Sequence, residues 1–435
     1  MVDLNSIIRK ARPSEEEENL LLKTADSILS SIRAICLEEK ISAFPMLVGS
    51  VSKGTWLRGS DLDIFTVFGK EYSVREMESL GLHIGHRVLK EGKERYAEHP
   101  YVSGLYNGIK VDIVPCFRFD GASRIISSVD RTPLHTEFIR ENLSADQKDQ
   151  VRLMKLFLKH GGIYGSEVRV RGFSGYVCEL LIYHFKTFLG VLDVFSSGGP
   201  RMVISKPETE VPESPVIIMD PTDHSRNASA AVSHESYLKF VALSKCYLAN
   251  PSERYFEKQE KGVAKLKKGR GHVFLLTMNK PDLVDDIVYS QARRLEKAVH
   301  EASDSLGIRL LGTELECEGE ISVLMEIQEA EMPGFRIHEG PPVYSPNAME
   351  FVKKWKDHPS RLRGPYILGD RIVVDVANKE TEISSVLLRE IMRKNIGKNL
   401  NDLKDTIRIE KLKAGTESTI LWSYYSRGIC GSDSS

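Results

Sequence analysis

Long apolar runs are missing from this sequence. No stretch approaches 18 uncharged apolar residues, about the length a membrane-crossing helix needs. The first 20 residues hold the acidic run 15–18 and no apolar core, so no signal peptide is expected. Cysteine is scarce: six in 435 residues (Cys36, Cys116, Cys178, Cys246, Cys317 and Cys430), none in a C-x-x-C pair. That scatter argues against a zinc site and a disulfide framework, and points to reduced, mostly buried thiols in a cytoplasmic protein. There is no excess of one charge either, since 60 Lys and Arg face 61 Asp and Glu. Near-neutrality still leaves a nucleic-acid partner open, because a local basic surface is enough. Internal repeats and low-complexity segments are absent. With 41% hydrophobic and 28% charged residues, what remains is an ordinary globular chain long enough for two to four domains.

The pattern along the chain is α+β and multidomain. Residues 19–39 space their apolar side chains as an amphipathic helix. FPMLVGS, SDLDIFTVF and GIKVDIVPCFRF read as strands, with Pro115 marking a point where ladder pairing stops or bulges. Residues 146–160 and 174–196 read as helices, and 197–215 as a long loop. The segment 258–272 is basic and punctuated by glycine. After it come a strand (VFLLTM), a helix over 284–306, a hairpin turning at Glu318-Gly319 and a Pro-rich loop over 330–346. A short helix over 347–357, a hairpin turning at Gly369-Asp370 and a helix over 381–396 follow.

The chemically informative stretch is GSVSKGTWLRGSDLDIF, residues 49–65. Asp61 and Asp63 are two apart on a predicted strand, so both carboxylates leave the same face while Leu62 and Ile64 turn toward a core. Crowded carboxylates repel, and a hard divalent cation with oxygen ligands removes that cost. Ahead of the pair, Gly49, Ser50, Gly54, Thr55 and Gly59 form a donor-rich turn able to cradle phosphate, and Lys53 adds a charge. Asp112 stands alone among Val111, Ile113 and Val114. An unpaired carboxylate there is costly, unless this strand lies beside the Asp61–Asp63 strand and the three acids act together. Three carboxylates can hold two metal ions about 3.5–4 Å apart for in-line phosphoryl displacement.

These residues resemble the signature of the DNA-polymerase-beta-type nucleotidyltransferases: a Gly-Ser turn, an Asp-x-Asp pair and one distant acid. RYAEHPYV (95–102), RTPLHTEFI (131–139), the run 151–182 and DPTDHSRNASAAVS (220–233) narrow the resemblance to the archaeal-type, class I CCA-adding enzymes. The resemblance implies a nucleotidyltransferase head (1–140, a mixed sheet with helices) and a mostly helical neck (141–257). It also implies an α/β body (258–322 and 378–435) and a tail (323–377) that contacts tRNA. It implies that Asp61, Asp63 and Asp112 hold two Mg2+ ions, and that Ser50, Lys53, His135, Lys155 and Tyr164 bind the nucleotide. Arg226 and Asn227 would lie near the incoming base of CTP or ATP. Some relatives carry Arg where this chain has Lys53, and a lysine lacks the planar fork that bidentate phosphate contact uses.

The implied reaction is template-independent addition of C, C and A to the 3′ end of tRNA, with release of pyrophosphate. The tRNA would be held by its acceptor stem and top half, with His99 near the primer end. In the basic run Lys258, Lys261, Lys265, Lys267, Lys268 and Arg270, the last four are the principal phosphate contacts expected. A homodimer is a family expectation. A poly(A) polymerase or oligoadenylate synthetase-like transferase shares the fold, and an inactive RNA-binding module is a second alternative.

Overall fold

The computed structural model describes residues 2–96, 98–119, 128–207, 212–258, 260–267, 270–378, 380–426 and 428. Lys268 and Cys430 lie outside the described residues. The chain forms two compact units, residues 1–260 and 261–427.

The first unit opens with α1 (Leu4–Ala11) and α2 (Glu15–Glu38). The acidic run is the first turn of α2, capped by Ser14, where negative charge meets the unpaired amides of a helix start. A five-stranded mixed sheet follows, built from β1 (Ala43–Val48), β2 (Leu62–Phe68), β3 (Lys93–Tyr96), β4 (Pro100–Tyr106) and β5 (Ile109–Phe117). Its order is β1-β2-β5-β4-β3, and only β2 and β5 run parallel. The short α3 (Gly49–Lys53) links β1 toward β2, and α4 (Val74–Val88) crosses the sheet. Alternation sorts the two faces. Leu62, Ile64 and Phe68 with Val111, Ile113 and Phe117 pack against Ile28, Ile32, Met77 and Ile84 of the helices. Asp63 and Asp112 occupy the alternate positions, so they sit on the face away from α2 and α4. Pro115 ends pairing on one side only. The ladder to β4 stops at Ile113, while the ladder to β2 continues to Phe117.

Five helices complete the first unit: α5 (Thr132–Asn142), α6 (Ala145–His160), α7 (Gly175–Phe185), α8 (Phe188–Ser196) and α9 (His234–Ala249). Their core is rich in aromatic rings, with Phe157 against Phe188, Phe240 and Tyr247. The single helix expected over 174–196 is two, because Lys186 takes a left-handed φ of 71° and Thr187 caps a new start. The loop expected over 197–215 holds β6 (Met202–Val203), paired with β7 (Val216–Ile217). β8 (Met219–Asp220) and β9 (Asp223–Asn227) form a small hairpin.

The second unit has β10 (Ala264–Lys265), β11 (His272–Asn279), α10 (Asp285–Leu306), β12 (Leu310–Glu316) and β13 (Glu320–Ile327). Next come β14 (Phe335–Pro342), α11 (Ala348–Lys356), β15 (Arg361–Leu368) and β16 (Arg371–Ala377). It closes with α12 (Ile383–Met392), α13 (Lys398–Asn401), β17 (Arg408–Lys411), β18 (Glu417–Ser418) and α14 (Thr419–Tyr425). One sheet runs β12-β13-β11-β17 and another β14-β16-β15, and β10 pairs with β18. Both expected hairpins are present. The Pro-rich loop expected over 330–346 holds β14: after Pro333, Phe335 to His338 alternates apolar and polar, and the strand finds a partner in β16. Cys36, Cys116, Cys178 and Cys317 are buried thiols outside any disulfide. Cys246 is disulfide-bonded, against the expectation of uniformly reduced thiols, because pairing follows spatial neighbours that spacing does not reveal. No described helix is long and apolar enough to cross a membrane.

Helix α4 reaches the sheet through glycine. A Cβ on Gly81 would stand 2.4 Å from the Cβ of Pro115. Gly81→Ala should therefore cost about 1–3 kcal/mol through overpacking. A urea midpoint that falls at unchanged m-value checks this, and an unchanged midpoint would show that the helix slides to make room.

Candidate active site

The parallel register of β2 on β5 sets Asp63 directly opposite Asp112. Asp61 lies one residue before β2 begins, in the turn rather than on the strand. Its carboxylate accepts a hydrogen bond from Lys110 Nζ in an ion pair that sequence spacing did not suggest. Burial pushes Asp63 up to about 6, and the charges of Asp112 and Asp61 add to that. Asp112 Oδ1 is buried without any hydrogen-bond partner. Gly49, the first residue of α3, closes the cluster: its φ is +70°, and a Cβ there would sit 2.1 Å from an Asp63 oxygen. Only glycine meets both conditions. An orphaned carboxylate oxygen beside a carboxylate held up near neutrality is a donor set that fits a hard divalent cation. As the side chains stand, no three acidic, His or Cys groups among the described residues converge closely enough to ligate one, and Asp61 is the member drawn aside.

The phosphate-cradle segment is fastened from behind by α6. Arg152 donates through Nη2 to Gly54 O at 2.7 Å and through Nε to Trp56 O at 2.9 Å. Lys155, one turn on, donates to Thr55 O at 2.9 Å. Three consecutive carbonyls are thus held by two cations at i and i+3 on one helix. Arg152 is itself held by Asp149, which also binds Arg12 of the turn after α1. Ser50 sits in α3, and its carbonyl accepts from Thr55 N. Lys53 turns inward: its Nζ is 2.8 Å from Glu179 Oε2 and 5.0 Å from the centre of the Tyr176 ring. Lys155 is buried beside the same carboxylate, so a solvated surface position is excluded. Tyr164 packs under Lys159, and burial raises its hydroxyl pKa.

Beyond Tyr176 the contacts continue. Its ring stacks on His135 at 3.9 Å between centres. His135 Nε2 lies 2.8 Å from Asp220 Oδ2, and Arg226 Nη1 donates to the same oxygen at 2.8 Å. Tyr176 OH and Thr222 complete the shell of Asp220. Burial alone would raise the Asp220 pKa, but bonding to His135 and to Thr222 reverses this and holds it well below the usual carboxylate range. Burial lowers the His135 pKa against the opposing pull of Asp220. Asn227 has both ends of its amide committed: Oδ1 accepts from Ile218 N and Ser229 N, and Nδ2 donates to Val216 O. Glu179, Tyr176, Arg152 and Lys110 went unseen in the sequence, while Asp220 was open to it as a partner for Arg226. The one available signal for the four was their place inside the motif-bearing run 151–182, with Lys110 two residues before Asp112.

The residues expected to meet phosphate elsewhere are less free than their charge suggests. His99 is buried, with Nδ1 2.9 Å from Glu78, and its Nε2 has no partner. In the second unit Lys261 pairs with Glu316 and Glu318, and Lys265 with Glu417. Arg270 makes a two-pronged bond to buried Glu326 at 2.9 and 2.8 Å. Lys267 lies over the Tyr425 ring at 5.4 Å. The expected free basic run is therefore in part an ion-paired surface, because its carboxylate partners come from distant parts of the chain.

The chain matches three family descriptions in turn. They are "Nucleotidyltransferase domain" over residues 29–135, "tRNA nucleotidyltransferase, second domain" over 149–257, and "CCA-adding enzyme, C-terminal domain" over 270–410. It is 40% identical to the CCA-adding enzyme of Picrophilus torridus over 99% of this chain and 100% of that one. With the CCA-adding enzyme of Thermoplasma volcanium it shares 41% identity, covering 95% and 94% of the two chains. The CCA-adding enzyme of Methanothermobacter thermautotrophicus is 34% identical over 90% of this chain and 88% of that one. Among solved structures, a cytoplasmic RNA terminal U-transferase superposes with a TM-score of 0.46 at 15% identity, covering 59% of this chain and 97% of that one.

The acidic cluster has a measurable cost. A carboxylate raised from an ordinary 3.9 to about 6 carries no penalty below the lower value and the full penalty above the higher one, so it lowers stability as pH rises. With a chelator present, Asp63→Asn should match the parent near pH 4. Through that window it should gain about 2–3 kcal/mol, and hold the gain above pH 7. Urea titrations at several pH values measure this, and a gap that does not change with pH would contradict it.

Proposed function

The chain belongs to the CCA-adding enzyme family, and we propose that its reaction runs at the Asp61, Asp63 and Asp112 edge of the first unit. The enzyme adds C, C and A to the 3′ end of tRNA from CTP and ATP without a nucleic-acid template. The observation that carries the site assignment is the register placing Asp63 beside Asp112, with one Asp112 oxygen unanswered. Nucleotidyltransferases use nucleotide substrates and metal ions. In this reading the three carboxylates hold two Mg2+ ions, which when bound neutralise phosphate charge and lower the pKa of the attacking hydroxyl.

The tRNA 3′-oxygen forms a bond to the α-phosphorus of the nucleotide. The bond from that phosphorus to the bridging oxygen breaks, and pyrophosphate leaves. The protein's own share is orientation and electrostatics. Lys53 and Lys155 bring cations to the triphosphate, with Ser50 and Tyr164 beside them. Arg226 reads the base while anchored on Asp220, and His135 fixes that anchor. Asn227 shapes the segment that carries Arg226. The proton of the 3′-hydroxyl would pass to solvent, so the chain's own residues need supply no separate base.

The reading divides the chain into head (1–140), neck (141–257), body (258–322 with 378–435) and tail (323–377). It is supported by the return of β17 to pair with β11, while β14, β15 and β16 form a sheet of their own. Of the tRNA-phosphate contacts expected in the second unit, Lys267 is the one described side chain without a carboxylate partner. A tRNA substrate implies a cytoplasmic location. The homodimer is checked by mass in solution.

Primer extension tests the function. A tRNA ending at its discriminator base should gain two residues with CTP and stop at three with CTP and ATP. Long tails with ATP alone would move the protein to a poly(A)-type reading, and no extension under any nucleotide would favour a binding module. Asp112→Ala should lower turnover by a factor on the order of 10³ or more while tRNA binding holds. Retained turnover would remove Asp112 from the site.

A further inference from the structure

Lys53 and Lys155, the two lysines assigned to the nucleotide, share one buried carboxylate. Glu179 Oε2 is 2.8 Å from Lys53 Nζ, and Glu179 Oε1 is 3.9 Å from Lys155 Nζ and accepts from Thr55 Oγ1 at 2.5 Å. The three ionisable side chains are 7%, 3% and 2% exposed. Groups facing this cluster from neighbouring elements do not balance it. Cys178 on α7 is pushed up to about 12 by burial, and burial likewise raises the hydroxyls of Tyr164 and Tyr176, so all three are neutral. Arg152 on α6 is a further cation, already met by Asp149. Lys53 also acts through space on Asp63 and on His135, but its ammonium touches Glu179.

A structural ion pair needs one cation for one anion. A second buried ammonium on the same carboxylate costs stability unless another anion arrives. Burial drives Lys155 toward neutrality, and Glu179 is the strongest influence against it. Burial also pushes Glu179 up, yet the two lysines and the bonds from Lys53 and Thr55 overcome this and leave it ionised.

We propose that Glu179 is a positioning residue of the nucleotide site: it gathers Lys53 and Lys155 at one point and leaves over a positive charge that the triphosphate of CTP or ATP meets. This rests on the reading that these lysines face the nucleotide. Glu179 touches no substrate in this role and acts only through the lysines.

The test is CTP affinity by calorimetry with Mg2+, on the full chain, from pH 6 to 9, taken as the ratio of variant to parent at each pH. In Glu179→Gln, Lys155 loses its counter-charge and its proton. CTP binding should weaken about tenfold or more at pH 8.5 and return to within about threefold at pH 6, where the proton is restored. Binding of tRNA should stay within about twofold. Glu179→Asp keeps the charge but withdraws it by one methylene. It should weaken CTP binding about three- to tenfold at every pH. A Gln variant with parental affinity at pH 8.5, or a loss that does not vary with pH, overturns the proposal. If the Gln variant fails to fold, the Asp variant decides, and parental affinity there overturns it. A parent protein that binds no CTP at any pH overturns the nucleotide-site reading itself.

Discussion

Two carboxylates placed opposite each other on neighbouring parallel strands repel, and the first unit is arranged to tolerate that. Sheet pairing alone would prefer valine or isoleucine at both positions. The compensation lies on the other face of the same strands. Leu62, Ile64, Val111 and Ile113 are fully buried against α2 and α4, so the strands are held whether or not the acids are content. Lys110 relieves Asp61, but both side chains are about half exposed, so the relief is modest. Asp63 is left desolvated and Asp112 unpartnered. Strain of this kind persists only where the surrounding structure over-determines it.

The second constraint is the fastening of residues 54–56 to α6. Carbonyls taken by Arg152 and Lys155 cannot turn toward a phosphate, whose oxygens they would repel. From that anchor one path of contacts leads through Glu179, Lys53, Tyr176, His135 and Asp220 to Arg226. Buried polar groups linked this way reinforce one another, and removing one leaves several unsatisfied. Effects of single changes along the path should therefore not add. The 54–56 segment at one end of the path and Arg226 at the other belong to one cooperative body.

What the sequence makes legible follows from the range of the forces involved. Strand alternation is local, so Asp61, Asp63 and Asp112 could be placed from their neighbours, with Asp61 falling just outside β2. Helices with strong caps were also readable. α6 begins at a Ser144–Gln147 capping box and α10 ends at a left-handed Gly307. β14 was hidden because the prolines near its ends read as loop, and the α7–α8 break because Lys186 gives no warning of a positive φ. Partnerships between distant segments were not readable. Nothing near residue 179 says that its carboxylate meets residues 53 and 155. Nothing near residue 270 says that its guanidinium meets Glu326. In the basic run, Lys261, Lys265 and Arg270 each have a carboxylate partner in the fold.

Whether a side chain positions or recognises depends on how much of its hydrogen-bonding capacity the fold consumes. Asn227 gives one amide hydrogen to Val216 O, has its oxygen engaged and is buried, so it builds the hairpin edge from inside. Arg226 is different. A guanidinium has five N–H donors, and the bond to Asp220 uses one nitrogen while the side chain stays 34% exposed. It is anchored and still able to donate, which is what discrimination by hydrogen bonds requires. The same reasoning separates the cations of the second unit. Arg270 gives two nitrogens to Glu326, which also accepts from Gly271 N and Tyr424 OH, and so it orders the strand edge. Lys267 rests on an aromatic ring, which leaves its ammonium hydrogens unspent. Of two neighbouring basic residues, the one without a carboxylate is the better placed to meet a phosphate.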